Sequence, residues 1–306
     1  MKHGLNRPPK DWWRWRLDGQ DLGWLAPAHQ QLLAGWGLGE PLPDAGPLAL
    51  PEATRETSSG VSTPQAREDA RGAPSGARTW AVHSGAVDAD GRSRWLENLA
   101  LRLRECGWVR GWRHERYRCQ LPGPGDEDRP AGGAVFFELE RAAYRFFGLT
   151  SQAVHVNGVD ESGALWCGRR SPRKATDPGR LDNLAAGGLP AGEELWDCAR
   201  RELWEEAGVP AALCGPLRLM GSLRTARVEP EGWHEEWLHV FELVLPAGFT
   251  PRNQDGEVSA FECLAPAEVA QRMHSQDFSP DAAAVSDFWL RTRAGDRPIS
   301  TTVGSR

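Results

Sequence analysis

The chain has 306 residues, with 36 Lys and Arg against 42 Asp and Glu, for a formal net charge of −6. That length fits one large domain or two ordinary ones, and the acid excess argues against a general electrostatic grip on nucleic acid. No apolar run is long enough to cross a bilayer, the N-terminus lacks a signal-peptide core, and the six cysteines hold no CxxC pair, so we expect no membrane partner, no zinc site, and free thiols in a reducing, cytoplasmic setting.

Residues 1–40 open on Trp12, Trp13 and Trp15, and Asp18-Gly19 between apolar runs predicts a hairpin. Pro27 to Trp36 predicts a short helix. Residues 41–91 are rich in Pro, Gly, Ser and charge, and Glu52 to Arg78 cannot bury enough surface to offset its ordering entropy. We therefore expect a disordered or variable insertion there. Arg94 to Cys106 resumes a helical period, Trp108 to Leu121 reads as strands, and Phe136 to Phe147 reads as a helix stopped by Gly148. With 15 tryptophans in the chain, most are expected in cores.

Ala153 to Val159 and Ala164 to Arg170 alternate as strands. A cationic stretch follows, with Arg170, Arg173 and Lys174, beside which a phosphate-bearing substrate would make sense. Ala186 to Gly192 reads as a loop. Then Glu193 to Gly208 reads as a helix with an apolar row at Leu195, Ala199, Leu203 and Ala207. Glu202, Glu205 and Glu206 lie three and four residues apart, on one face. Like charges so placed repel one another, and a divalent cation with oxygen ligands, Mg²⁺ or Mn²⁺, turns that repulsion into a site. Further strands are predicted over Leu217 to Ala226, Leu238 to Leu245 and Glu257 to Leu264. Helices are predicted over Pro266 to His274 and Asp281 to Arg291. Strands on both sides of one acidic helix predict an α/β chain: a mixed sheet in an α/β/α sandwich.

The segment from Gly187 to Val209 resembles the Nudix box. Gly187, Glu193, Arg201, Glu202, Leu203, Glu205, Glu206, Gly208 and Val209 fill its positions. Seven fixed letters at roughly one in fifteen each make a chance match about one in 10⁸ per start point, which decides against a merely solvated acidic face. The chain further resembles the Nudix subfamily related to the N-terminal portion of fungal thiamine pyrophosphokinases. Gly111-Trp112-Arg113-His114-Glu115, Glu140-Arg141-Ala142-Ala143 with Phe147-Gly148, His155-Val156-Asn157-Gly158, the run from Arg169 to Asp182, and Asp255-Gly256-Glu257-Val258 carry that resemblance. Asp177 departs from it, standing where the family usually has an aromatic residue.

The resemblance implies a Nudix fold (151–295) behind a small α+β N-terminal domain (1–40 and 92–150), with a tail at 296–306. It implies hydrolysis of thiamine diphosphate, or of its oxidised oxythiamine and oxothiamine analogues, to a monophosphate and phosphate. A nucleoside diphosphate derivative and a non-catalytic binding module are the alternatives. Glu202, Glu205 and Glu206, with a carbonyl near Gly187, are the expected metal ligands. Arg201 is expected to orient them, with Glu193 as its partner. Glu205 and Glu257 are candidates for the general base, Arg170, Arg173 and Lys174 for gripping phosphate, and Trp112, His155 and Asn157 for the organic part. A small-molecule diphosphate is the expected partner, on a monomer or homodimer.

Overall fold

The computed structural model describes residues 7–42, 78–123, 130 and 132–295. Strands β1 (Trp13–Leu17) and β2 (Gln20–Leu25) form the hairpin expected around Asp18-Gly19. Both turn residues have positive φ, 47° and 85°, as a two-residue turn matched to strand twist requires. Helix α1 (Pro27–Gly35) follows, with proline in its first turn, where its missing N–H goes unused. Strands β3 (Glu40–Leu42) and β4 (Thr79–Val82) complete a sheet of order β2-β1-β4-β3.

The edges of the expected insertion are thus structured. Residues 43–77 lie outside the described residues, but 78–91 carry β4 and the start of α2 (Ala89–Glu105). This helix begins ahead of the predicted Arg94 because the Asp88 carboxylate accepts the Gly91 N–H at 2.7 Å, capping it.

Two further expectations are corrected. Of Trp108 to Leu121, only β5 (Arg116–Gln120) is a strand. The predicted helix over Phe136 to Phe147 is instead strand β6 (Val135–Glu140), a single turn of tighter helix, and the short α3 (Tyr144–Phe147). Distant contacts decide this: β6 pairs with β5, the Ser93 hydroxyl accepts the Glu138 N–H, and the buried Glu140 carboxylate accepts the N–H groups of Arg113 and Glu115. Gly148, in the left-handed region, ends α3 as expected. Around these elements Trp15 stacks on Phe147 (4.7 Å between centroids) in a core with Leu33, Leu96, Phe137 and Tyr144.

The second sheet holds β7 (Thr150–Val159), β8 (Leu165–Arg170), β9 (Leu181–Asp182), β10 (Ala185–Gly188), β11 (Arg218–Glu229), β12 (Gly232–Val244) and β13 (Val258–Leu264). Its order is β11-β12-β7-β8-β13, with β10 on β7 and β9 on β8. β12 runs parallel to β7 and the other pairs are antiparallel, so the sheet is mixed. Helix α4 (Leu195–Ala207) packs Ala199, Leu203 and Ala207 on Val154, Val156, Phe241 and Leu243. On the opposite face α6 (Pro280–Arg293) packs Val285 and Phe288 on Ala153, Leu238 and Val240. Helix α5 (Pro266–His274) adds Val269 to the cluster around Trp289. Successive strand residues point to opposite faces, so each of β7 and β12 supplies both helical layers. The architecture is the expected α/β/α sandwich around a mixed sheet. The loop expected at Ala186 to Gly192 is in its first part the strand β10, which β7 holds in register (Gly187 opposite Val154).

Candidate active site

Helical geometry sets the carboxylates. With Ala199, Leu203 and Ala207 turned to the sheet, Glu202 and Glu206 stand one turn apart beside that buried stripe, 8% and 5% exposed. Glu205 points further out, its side chain 42% exposed. The Arg201 guanidinium ties the group together. It donates to both oxygens of Glu193 (2.9 and 2.8 Å), to Glu202 (2.6 Å) and to Glu205 (3.0 Å). The hydrogen bond to Glu193, with the Glu202 charge, raises the Arg201 pKa further and keeps it cationic.

Burial pushes the Glu202 carboxyl up, against the pull of Arg201. It pushes Glu206 well above the usual carboxylate range, with the charges of Glu202 and Asp182 adding to the effect. Two neighbours oppose this at Glu206: the Lys174 ammonium (3.7 Å) and the Ala186 N–H, which Glu206 accepts at 2.8 Å.

Strand β10 lays bare backbone against these groups. A Cβ on Gly187 would fall 1.9 Å from a Glu202 oxygen, and one on Gly188 would fall 1.7 Å from the Tyr117 hydroxyl. Only glycine lets both side chains reach the strand. Glu257 comes from the far side. The Arg252 and Gln254 N–H groups donate to the Ala207 and Glu205 carbonyls, both at 2.9 Å, pinning this loop to the end of α4. Lys174 is ion-paired to Glu257. The oxygen-only donor set of Glu202, Glu205 and Glu206, two of them buried and charge-starved, fits a hard divalent cation.

Beside them lies a cavity of about 390 Å³. Gly187, Lys174, Arg170 and His155 line it from the second sheet, and Tyr117 and Arg141 from the first part of the chain. Arg170 is committed to Asp182 (2.6 Å) and to the Thr176 carbonyl. His155 Nδ1 meets Asn183 Oδ1 at 2.8 Å, and the Asn183 amide donates to Asn157, which is fully buried and off the cavity wall. Trp112 packs on the first core, with the Arg104 guanidinium over its ring, and Arg173 is exposed; neither lines the cavity. Sequence reasoning passed over Tyr117, Arg141, His234, Glu236 and Asp281, which also line it. The available signal was the spacing of His234 and Glu236, two apart on one face of a strand. The box glutamates and Glu257 do not themselves line this cavity; Ala186, Gly187 and Lys174, which contact them, do.

Fold and site together define a mixed-sheet sandwich with a carboxylate-bearing helix beside a polar cavity. The NUDIX domain family profile matches residues 150–284. The chain is 32% identical over 165 residues to uncharacterized Nudix hydrolase PA4841 of Pseudomonas aeruginosa, covering 54% of this chain and 89% of that protein. It is 36% identical over 205 residues to the chloroplastic Nudix hydrolase 24 of Arabidopsis thaliana, covering 65% of this chain and 54% of that protein. The chain thus spans about half the length of its plant relatives. A crystal structure of DR0079 from Deinococcus radiodurans superposes with a TM-score of 0.44 at 25% identity, covering 56% of this chain and 98% of that one. The chain belongs to the Nudix hydrolase family. Among the described residues no helix is long and apolar enough to cross a membrane.

Proposed function

We propose that the chain is a metal-dependent pyrophosphohydrolase that cleaves the diphosphate of a small organic molecule to a monophosphate and phosphate. The observation that carries this is the buried pair Glu202 and Glu206, held against β10, whose Gly187 and Gly188 line a polar cavity with Lys174 and Arg170. Glu202, Glu206 and Glu205 would hold Mg²⁺ or Mn²⁺, with a carbonyl near Gly187 completing the set. When bound, the ion supplies the positive charge that lets a nucleophile approach diphosphate oxygens.

The chain's own groups do the rest. Arg201, held on Glu193, aims the ligand carboxylates. Lys174 and Arg170 present cationic groups to the phosphates from the cavity wall. Glu257 and Glu205 are the half-exposed carboxylates of the group, with side chains 41% and 42% exposed, and are our candidates to accept the proton of the attacking water. His155 faces the organic part, while Asn157 acts only through Asn183.

For the substrate we propose thiamine diphosphate or its oxidised analogues. The runs around Trp112, His155, Lys174 and Glu257 support this through their likeness to the thiamine pyrophosphokinase-related subfamily. A cavity of about 390 Å³ also suits a small ligand better than a dinucleotide. We further propose residues 1–40 with 92–150 as a small domain that walls the cavity, 151–295 as the hydrolase domain, and 296–306 as a tail, which lies outside the described residues. All six cysteines are free, which fits a reducing compartment.

The test is phosphate release with Mg²⁺ from thiamine diphosphate, oxythiamine diphosphate, ADP-ribose and dinucleotides, by wild type and Glu206→Gln. Metal-dependent turnover of the thiamine compounds, reduced at least about 100-fold in the variant, is expected. Turnover of ADP-ribose alone removes the thiamine assignment. Binding without turnover of any compound removes the hydrolase assignment.

A further inference from the structure

On the wall of the 390 Å³ cavity, β12 and α6 bring a second group of donors together. His234 and Glu236 lie two apart on β12 and so face the same way. Asp281 stands in the first turn of α6 and reaches the same point. His234 Nε2 is 3.7 Å from Glu236 Oε2 and 3.7 Å from Asp281 Oδ2. All three atoms lie within 4.8 Å of one another, the only such trio among the described residues. The imidazole is 7% exposed, and its Nε2 is buried with no hydrogen-bond partner. A buried polar atom left so is destabilising unless something occupies the space beside it.

These separations are too long for hydrogen bonds and suit an ion between the atoms. The point equidistant from the three lies roughly 2.1 Å from each if the carboxylate oxygens are also 3.7 Å apart, and roughly 2.4 Å at the 4.8 Å limit. Zinc-like ions take imidazole and carboxylate ligands at about 2.0–2.2 Å, within a small side-chain adjustment of that range.

The remaining oxygens are already held. Ser151 donates to Glu236 Oε1 at 2.7 Å, which leaves Oε2 facing the imidazole. Thr225 and Arg227 donate to Asp281 Oδ1 (2.9 and 2.7 Å), and Arg227 also donates to Oδ2 (2.9 Å), the oxygen that faces the imidazole, so an ion there would share that oxygen with the guanidinium. Such outer partners fix how ligands point. The Arg227 charge is itself met by Glu229 at 2.6 Å, so Glu236 and Asp281 keep two negative charges for a dication to balance.

We propose that His234, Glu236 and Asp281 form a second divalent-cation site, of mixed nitrogen and oxygen donors, separate from the box glutamates. The imidazole selects a borderline ion such as Zn²⁺ over Mg²⁺, and Mn²⁺, which accepts the same donors more weakly, serves as a paramagnetic probe. Three protein ligands leave a coordination position open to the cavity, which can take an oxygen of a bound substrate. The missing CxxC pairs exclude a thiolate zinc site and do not bear on this one. The site stands apart from the hydrolase assignment, since the ion binds whether or not diphosphates are turned over.

The test uses the full chain stripped with chelator. Mn²⁺-loaded wild type is expected to show ¹⁴N coupling from imidazole in pulsed electron paramagnetic resonance, which an all-oxygen glutamate site cannot give. The coupling is expected to persist in Glu206→Gln and vanish in His234→Gln. Zn²⁺ affinity by equilibrium dialysis is expected to fall at least about tenfold in Glu236→Gln, which keeps the group that Ser151 contacts. Absence of ¹⁴N coupling in wild type overturns the proposal. So does coupling that survives His234→Gln, or Zn²⁺ affinity that falls in Glu206→Gln and not in Glu236→Gln. If His234→Gln fails to fold, the wild-type spectrum and Glu236→Gln decide.

Discussion

Arg201 does what no lysine can. Its planar fork spans both oxygens of Glu193 and still has a nitrogen for Glu202 and Glu205. An ammonium is a point charge and can serve one of those carboxylates at a time, so Arg201→Lys would leave Glu202 and Glu205 without a fixed aim. The side chain is 33% exposed, so solvent screens the loss and little stability should go with it. Metal affinity should suffer instead. We expect Mn²⁺ binding at the box glutamates to weaken about 10–100-fold, with the urea midpoint nearly unchanged. A variant that binds Mn²⁺ as wild type does would show that the glutamates need no such support. Gly187 makes the complementary point: its lack of a side chain is what gives Glu202 a place against β10.

Among the elements, the short passage from β9 to β10 works as a clamp. Asn183 sits there, 1% exposed, and bonds His155 on β7, Asn157 on β7 and, at 3.4 Å, Ser286 on α6. Removing its amide strands a ring nitrogen and a carbonyl oxygen in the core. We expect Asn183→Ala to cost about 2–5 kcal/mol in urea unfolding. A cost below about 1 kcal/mol would show that these groups find other partners. The elements that could be read from sequence were those whose signal is local: the Asp18-Gly19 turn, the apolar row of α4, and the runs of β7, β8, β13, α5 and α6 bounded by their own turn and cap residues. Val135 to Phe147 could not be read so, because Leu139, Ala143 and Phe146 keep a helical spacing while Ser93, Arg113 and Glu115 draw its first half into a strand. The site divides the same way. The box glutamates share one helix and were legible, whereas Tyr117, Arg141, His234 and Asp281 converge from four separate elements or turns, which no spacing can report.

Over the whole molecule, folding buries imidazoles as well as carboxylates, and this sets how stability depends on pH. His239 lies inside the second sheet, 5% exposed, with Nδ1 at 2.9 Å from the Ser222 hydroxyl and Nε2 at 2.8 Å from Gln152 Oε1. Both contacts suit the neutral ring, which accepts from serine and donates to glutamine. Burial pushes its pKa down to about 4 from an ordinary value of 6.5. His29, under Phe146, moves in the same direction, through burial opposed by its bond to the Phe146 carbonyl. Through these two rings the folded chain binds fewer protons than the unfolded chain between about pH 6.5 and 4, so their share favours unfolding in acid, while the raised Glu202 and Glu206 carboxyls work in the opposite sense. Above pH 6.5 His239 is neutral in both states and contributes no slope. From pH 7.5 to 5 its share of the loss comes to about 2 kcal/mol. Asp277 adds to the loss only in stronger acid, because Arg169 and Arg272 hold it below the usual carboxylate range. Urea unfolding of wild type and His239→Gln at pH 7.5 and pH 5 isolates the share of this ring. His239→Gln, which removes the titrating ring, is expected to lose about 2 kcal/mol less across the same interval, whatever its stability at pH 7.5. Equal losses in the two proteins would mean that the ring titrates alike in the folded and unfolded states.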